Sequence, residues 1–317
     1  TLDADYACIE VDEASTKYIF PAIRPDYMVM TNLFRDQLDR YGEIDITMNI
    51  LEEMMRKVPD MKVIVNGDDA LSAYLAMDSG NPYVTYGISR PVVQSAANEI
   101  REGRFCKKCG EKLQYSFYHY SQLGDYACPK CGFKRPEPDF DAEDVQVGDR
   151  LSFRVENRLI SANYKGFYNV YNILAAYAGV RTAGFSAEHF TDMLKKFNPE
   201  NGRMEQFRIQ GTGVTLNLAK NPAGFNQNIS AVMQDTAPKD VIIAINDNAQ
   251  DGIDISWLWD VDFDLFGGES IRSITVSGIR CQDMRLRLKY VDIPSVLEPD
   301  VEKAIRDRVK DGTGNLY

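Results

Sequence analysis

An α/β protein is predicted, with a parallel central sheet, a small cysteine-rich insertion and a second α/β unit. Three observations carry this. Short apolar runs at residues 27–30 (YMVM) and 63–65 (VIV) alternate with a helical apolar period at Ile44, Met48, Leu51, Met55 and Val58, the pattern of a doubly wound sheet. Residues 104–135 break that alternation with two CxxC pairs. After the turn-rich NPENGRM stretch at 198–204, strand and helix patterns resume to the end of the 317-residue chain. The domains are therefore expected at 1–200, with the insertion at 102–137, and at 201–317.

Composition narrows the function. A net charge of −11 with pI 4.8 argues against a protein that binds the nucleic-acid backbone. Mean hydropathy of −0.34 and the lack of any apolar run near the roughly 18 residues of a membrane span point to a globular chain. Six cysteines in this length do not form a secreted disulfide framework, and CxxC pairing suits a reducing compartment.

Taken in order, residues 6–11 (YACIEV) read as a strand, with Glu10, Asp12 and Glu13 at its carboxyl end. Carboxylates there either favour a helix N-terminus or hold a hard cation such as Mg²⁺. The loop after 27–30, TNLFRDQLDRYG, carries Asn32, Arg35, Asp36, Gln37, Asp39 and Arg40. Loops after parallel strands are where such sheets gather ligand-binding groups. The strand at 63–65 ends in Asn66-Gly67-Asp68-Asp69, a good turn in its own right.

In the insertion, Cys106-x2-Cys109 is separated by eighteen residues from Cys128-x2-Cys131, and Gly110 and Gly132 follow the two pairs. Four thiolates at this spacing form a closed structural Zn²⁺ site; two independent redox pairs are the alternative. His119, set among Tyr115, Phe117, Tyr118 and Tyr120, reads as packed or exposed rather than as a ligand. The aromatic residues with Lys107, Lys108 and Lys112 would suit nucleic acid, but the acidic surroundings make that the minor reading. Residues 140–160 read as strands with polar turns, and GFYNVYNILAA at 166–176 opens a helix. His189 falls in the helix that follows.

The second unit begins with strands near 205–210 and 214–218. LAKNPAG at 218–224 then opens a helix with Pro in its first turn. After a buried strand at 241–245 comes NDNAQDGIDISWLWD, which holds both tryptophans of the chain, Trp257 and Trp259, beside Asp251, Asp254 and Asp260. Tryptophan there suits an interface, or simply a covered core. Residues 314–317 look like the start of another strand.

These strings resemble the Mur ligase superfamily. Its loop T-N-x-x-x-D-H-x-D-x-x-G is similar to residues 31–42, with Gln37 in place of His. Its G-x-H-N-x-x-N-x-x-A-A is similar to 166–176, with Tyr168 in place of His. Its D-Y-A-H-N-P motif is similar to the LAKNPAG stretch at 218–224, with Lys220 in place of His. The four-cysteine ribbon and the DGIDISWLWD loop resemble the MurT branch in particular. The resemblance implies ATP and Mg²⁺ bound by Glu10 or Glu13 with Asn32, Asp36, Asn66, Asp69 and the linker residue Arg203. Lys220 and Asn221 would contact substrate or phosphate. It implies a heterodimer with a glutaminase of the GatD type, contacted by residues 201–317, which amidates the D-glutamate α-carboxylate of the lipid II stem peptide at the inner face of the cytoplasmic membrane. Asp254 would complete the glutaminase Cys–His pair, with Asp251 and Asp260 as fallbacks. The Gly-x4-Gly-Lys-Ser/Thr loop of the superfamily is missing from the sequence, so it is expected upstream of Thr1. A Mur-type amino-acid ligase, of muropeptide or folylpolyglutamate type, and a non-catalytic zinc-ribbon module are the alternatives.

Overall fold

The computed structural model describes residues 4–34, 43–92, 102–148, 150–163, 166–197, 202, 204–248, 251–310 and 314–317. Helix α1 (Thr16–Ala22) leads into strand β1 (Tyr27–Met30), and helix α2 (Ile44–Lys57) into strand β2 (Lys62–Asn66). Helix α3 (Ala70–Ser79) leads into β3 (Tyr83–Gly87). The insertion contributes an antiparallel hairpin, β4 (Gln114–Tyr120) and β5 (Leu123–Ala127). The short β6 (Phe140–Asp141) then returns to β3, so the first sheet runs β1-β2-β3-β6 with every pair parallel.

Why β2 reads as unbroken apolar sequence is now plain. Val63 and Val65 pack with Met48, Leu51, Met54 and Met55 of α2 and Leu71 and Leu75 of α3. Ile64 faces the other way, into a core with Tyr86, β8 (Leu151–Val155) and helix α4 (Tyr168–Thr182). Alternate side chains leave opposite faces of a strand, and a sheet covered on both needs apolar residues at each. The residues predicted for the inner face of α2 are all buried.

Strand β8 is the centre of an antiparallel meander with β7 (Glu143–Val147) and β9 (Arg158–Ala162). Helix α5 (Phe190–Lys196) starts one residue after His189, which stands at its N-cap rather than inside it. The second sheet has the order β10-β11-β15-β12-β13-β14. It is made of β10 (Glu205–Ile209), β11 (Thr212–Leu216), β12 (Lys239–Ala244), β13 (Ile271–Ser277), β14 (Val296–Leu297) and β15 (Asn315–Leu316). Helices α6 (Pro222–Gln234), α7 (Cys281–Lys289) and α8 (Val301–Val309) connect them. Only β10 runs antiparallel to its neighbour. The predicted strand at the chain's end therefore lies mid-sheet, parallel to both β11 and β12. Most of the predicted boundary stretch lies outside the described residues.

One predicted element is corrected. Residues 6–11 form no strand: they pair with no described strand, and Tyr6 and Ile9 are 68% and 51% exposed. An apolar alternation becomes a strand only where a neighbouring edge accepts its backbone hydrogen bonds.

Candidate functional site

The polar residues at the carboxyl ends of β1 and β2 converge. Asn66 ends β2 and is fully buried. Its Oδ1 accepts the Asp68 N–H at 3.0 Å, while its Nδ2 has no partner among the described residues. Asp69 is the N-cap of α3 and accepts the N–H groups of Leu71 and Ser72, the Ser72 hydroxyl, the Leu33 N–H at 2.8 Å and Gln122 Nε2 at 3.0 Å. Burial pushes its carboxyl up, and those donors oppose the shift. Asp69 thus stands inside the protein as a hub, beside the loop at 31–34 where Asn32 is half-buried.

Asp68 is buried as deeply. It accepts the Ile88 N–H at 2.8 Å, Arg135 Nε at 2.6 Å and the Tyr171 hydroxyl at 2.7 Å. Burial raises its pKa against the pull of the Arg135 guanidinium and His119. His119 is 1% exposed; its Nδ1 lies 2.6 Å from the Tyr171 hydroxyl, and its Nε2–H donates to the Arg90 carbonyl at 3.0 Å. Sequence reasoning passed over Asp68, Arg135 and Tyr171. No local spacing links them, although a paired Asp-Asp after a buried strand was visible.

This network carries a pH dependence. Burial holds the His119 imidazole below its usual pKa, opposed by Asp68. Below about pH 6.5 the unfolded chain takes up a proton that the folded chain resists, so stability falls with pH by at most about 1.4 kcal/mol per unit for this group. The raised Asp68 acts in the opposite sense, since the folded chain then binds its proton first. Comparing urea midpoints of wild type and His119→Gln between about pH 5.5 and 7.5 isolates the histidine. The variant should lose less stability on acidification; identical pH slopes would show that His119 titrates alike in both states.

The other predicted nucleotide residues are scattered or outside the described set. Glu10 is exposed in an irregular segment, and Glu13 opens a 3-10 turn capped by Asp12, whose carboxylate takes the Ser15 N–H at 2.9 Å. Asp36, Gln37 and Arg203 lie outside the described residues. In the second unit Lys220 is exposed, and Asn221 caps α6 by accepting the Gly224 N–H at 2.8 Å, with Pro222 in the first turn.

The four cysteines come together from two similar knuckles. Gly110 N–H bonds the Cys106 carbonyl and Gly132 N–H the Cys128 carbonyl, with φ of 73° and 76° at the two glycines, a conformation glycine adopts without strain. Backbone N–H groups of Lys108 and Cys109 point at Cys106 Sγ, and those of Lys130 and Cys131 at Cys128 Sγ. All four sulfurs lie within 4.8 Å of one another. A tetrahedral ion with Zn–S bonds of about 2.3 Å needs sulfurs about 3.8 Å apart, so the donor set fits zinc. With all four positions filled by thiolate, such an ion would be structural. The ribbon packs on α3 through Ala70, Ala73, Leu113, Tyr126 and Phe133.

The loop after β12 divides its two tryptophans. Trp257 packs on Phe225 in the core, with ring centroids 5.9 Å apart, whereas Trp259 is 50% exposed and meets the exposed Tyr290 edge-on at 5.2 Å. Arg287 secures this turn by donating to the carbonyls of Leu258 (3.1 Å) and Val261 (2.7 Å). Asp254 lines a recess of about 300 Å³ with Ile253, Ser256, Trp259, Asp283 and Leu286. Its Oδ1 accepts the Ser256 N–H at 2.8 Å, and its Oδ2 has no hydrogen-bond partner among the described residues. Asp251 is engaged with Asn248, and Asp260 lies half-buried at the end of the Trp-bearing turn.

Comparison with known proteins places these features. Residues 1–180 match the Mur ligase middle domain and residues 218–317 the MurT ligase C-terminal domain. The chain is 36% identical over 300 residues to the lipid II isoglutaminyl synthase (glutamine-hydrolyzing) subunit MurT of Staphylococcus aureus, covering 94% of this chain and 68% of that protein. It is 34% identical to the subunit of the same name from Streptococcus pneumoniae, covering 91% and 65%. The chain thus spans about two thirds of the length of these curated relatives. Among solved structures, a pseudomurein peptide ligase type C from Methanothermus fervidus matches with TM-score 0.70 and 23% identity, over 92% of this chain and 60% of that one. The UDP-N-acetylmuramate-alanine ligase MurC of Thermotoga maritima matches with TM-score 0.60 and 16% identity, over 96% and 57%. These last two show the fold.

Proposed function

The chain belongs to the MurT family of Mur ligase-like proteins, and on that premise we propose that it is the ATP-dependent synthetase subunit of a glutamine amidotransferase. Its substrate is the D-glutamate α-carboxylate in the lipid II stem peptide, which becomes D-isoglutamine. The observation that carries this reading is the identity of 36% over 94% of the chain to a subunit bearing that name. The Asp254 recess in the C-terminal unit adds to it, because its carboxylate is rimmed by the exposed Ile253, Trp259 and Leu286, a make-up that suits a protein-binding surface. The lipid-linked substrate is met, on this reading, at the inner membrane face; no helix of the described residues is long and apolar enough to cross a membrane.

The chemistry follows from the substrate. A carboxylate oxygen attacks the γ-phosphorus of ATP and ADP leaves; ammonia then attacks the acyl carbon of the acyl phosphate and inorganic phosphate leaves. When bound, Mg²⁺ would offset the charge on the transferring group. Asn32 and Asn66, at the ends of adjacent parallel strands, would contact the nucleotide together with Asp36, and Glu10 or Glu13 would hold the metal. Asp69 serves this site by shaping the loop, since its carboxylate is occupied internally. Lys220 and Asn221 meet the substrate side, and Arg203 reaches the phosphates. Water has to be excluded while the acyl phosphate lives, which suits ammonia passed directly from a GatD-type glutaminase docked on residues 201–317.

The test uses the full-length protein with its glutaminase partner, ATP and a lipid-linked muropeptide. Ammonium salts should replace glutamine as nitrogen donor. Product formed only with an added amino acid would favour the amino-acid ligase, and no ATP turnover at all would favour a binding module. Arg203→Ala should lower ATP turnover about 10²–10³-fold, the range for removing one group that stabilises transition-state charge, while the thermal midpoint stays unchanged. Unaltered turnover would remove Arg203 from the site.

A further inference from the structure

The ribbon hairpin reaches well beyond its cysteines. Strands β4 and β5 turn at Ser121 and Gln122, and Gln122, although at a hairpin tip, has no exposed surface. The tip is driven into the sheet domain. There the Gln122 amide donates to the Leu33 carbonyl at 2.6 Å and to Asp69 Oδ1 at 3.0 Å. Asp69 Oδ2 in turn accepts the Leu33 N–H at 2.8 Å. Both backbone polar groups of Leu33 are therefore held by side chains that are bonded to each other.

The same hairpin grips the neighbouring loop. Gly124 N–H donates to the Asp68 carbonyl at 3.0 Å, and the Tyr126 hydroxyl to the Gly67 carbonyl at 3.1 Å. A Cβ at Gly124 would overlap the Phe117 carbonyl across the hairpin. The loops after β1 and β2, 89 and 53 positions from Gln122 at Leu33 and Asp69, are thus tied to one element that belongs to neither. Buried bonds of this kind fix geometry because leaving any partner unpaired is costly. Asn32 directly precedes the held Leu33, and Asn66 keeps a buried Nδ2 with no partner among the described residues.

We propose that Gln122 is a positioning residue for the nucleotide site: the ribbon tip holds the loops after β1 and β2 in register so that Asn32 and Asn66 address one bound ATP. This rests on the reading that those loops contact ATP.

The experiment uses the full-length protein with its glutaminase partner and Gln122→Leu, which keeps the apolar bulk and loses both donations. With zinc content unchanged, KM for ATP should rise about tenfold or more while KM for glutamine holds. Amide exchange in peptides covering residues 31–34 and 66–69 should quicken about tenfold, and the peptide covering 239–244 should not respond. Should the variant fail to fold, exchange in wild type before and after zinc chelation reads the same clamp. Exchange at 31–34 unchanged within about twofold would overturn the proposal. So would faster exchange with KM for ATP unchanged, provided Asn32→Ala does raise that KM. If Asn32→Ala leaves it unchanged as well, the fault lies in assigning these loops to ATP, and the positioning role falls with it.

Discussion

Asp254→Asn is expected to abolish glutamine-driven amidation while ammonia-driven amidation and subunit association persist. A glutaminase works through a Cys nucleophile and a His base, and the imidazole is effective when a carboxylate fixes its tautomer. In the proposed complex the GatD-type subunit would supply Cys and His, and Asp254 would supply the carboxylate. The geometry suits this. One oxygen is anchored by the Ser256 N–H at 2.8 Å, and the other has no partner among the described residues. Arg287 immobilises the following turn, and Ile253, Trp259 and Leu286 form an exposed apolar rim. Trp and Arg are the residues that most often anchor interfaces. An amide in place of the orienting carboxylate favours the wrong tautomer and lowers kcat about 10⁴-fold in a protease triad. Glutamine hydrolysis by the mutant complex should fall by a similar factor. Asp251→Asn should have little effect, because that carboxylate closes its own loop on Asn248. Hydrolysis at the wild-type rate with Asp254→Asn would refute the assignment.

Stripping the metal, or Cys106→Ser, is expected to unfold residues 104–135. Structural zinc contributes about 10–16 kcal/mol in small finger peptides at neutral pH, as much as a whole domain's usual margin of about 5–15 kcal/mol. The knuckle end of the ribbon has little else to hold it, since its core is chiefly Leu113, Tyr126 and Phe133 against α3, whereas the hairpin tip is anchored in the sheet domain through Tyr120, Leu123 and Gln122. One equivalent of zinc per chain is expected by metal analysis, with a mid-range thermal transition that appears on chelation and disappears when zinc is restored. A chain that carries no zinc and shows the same melting profile with chelator would argue for two unrelated thiol pairs. Loss of zinc should extend inward as well, because the Arg135–Asp68 and His119–Tyr171 bonds both leave from the ribbon.

What the sequence alone determined is whatever is written in short spacings. Cys106, Cys109, Cys128 and Cys131 announce a four-thiolate centre because a knuckle needs two cysteines three positions apart and a glycine to turn the chain. Ile44, Met48, Leu51 and Met55 announce α2 because one helix face recurs every three or four residues. The loops after β1 and β2 were legible for the same reason, as charge following a buried strand. Tertiary structure decided the rest. It made Asp69 an internal hub, buried His119, separated Trp257 from Trp259, and set the last residues of the chain in the middle of the second sheet. It left residues 6–11 without a strand partner among the described residues despite their strand-like alternation. The bond from Tyr171 to Asp68 spans 103 positions and that from Gln122 to Leu33 spans 89. A polar side chain's role depends on which donor or acceptor the fold brings within about 3 Å of it, and no periodicity along the chain encodes a meeting at that separation.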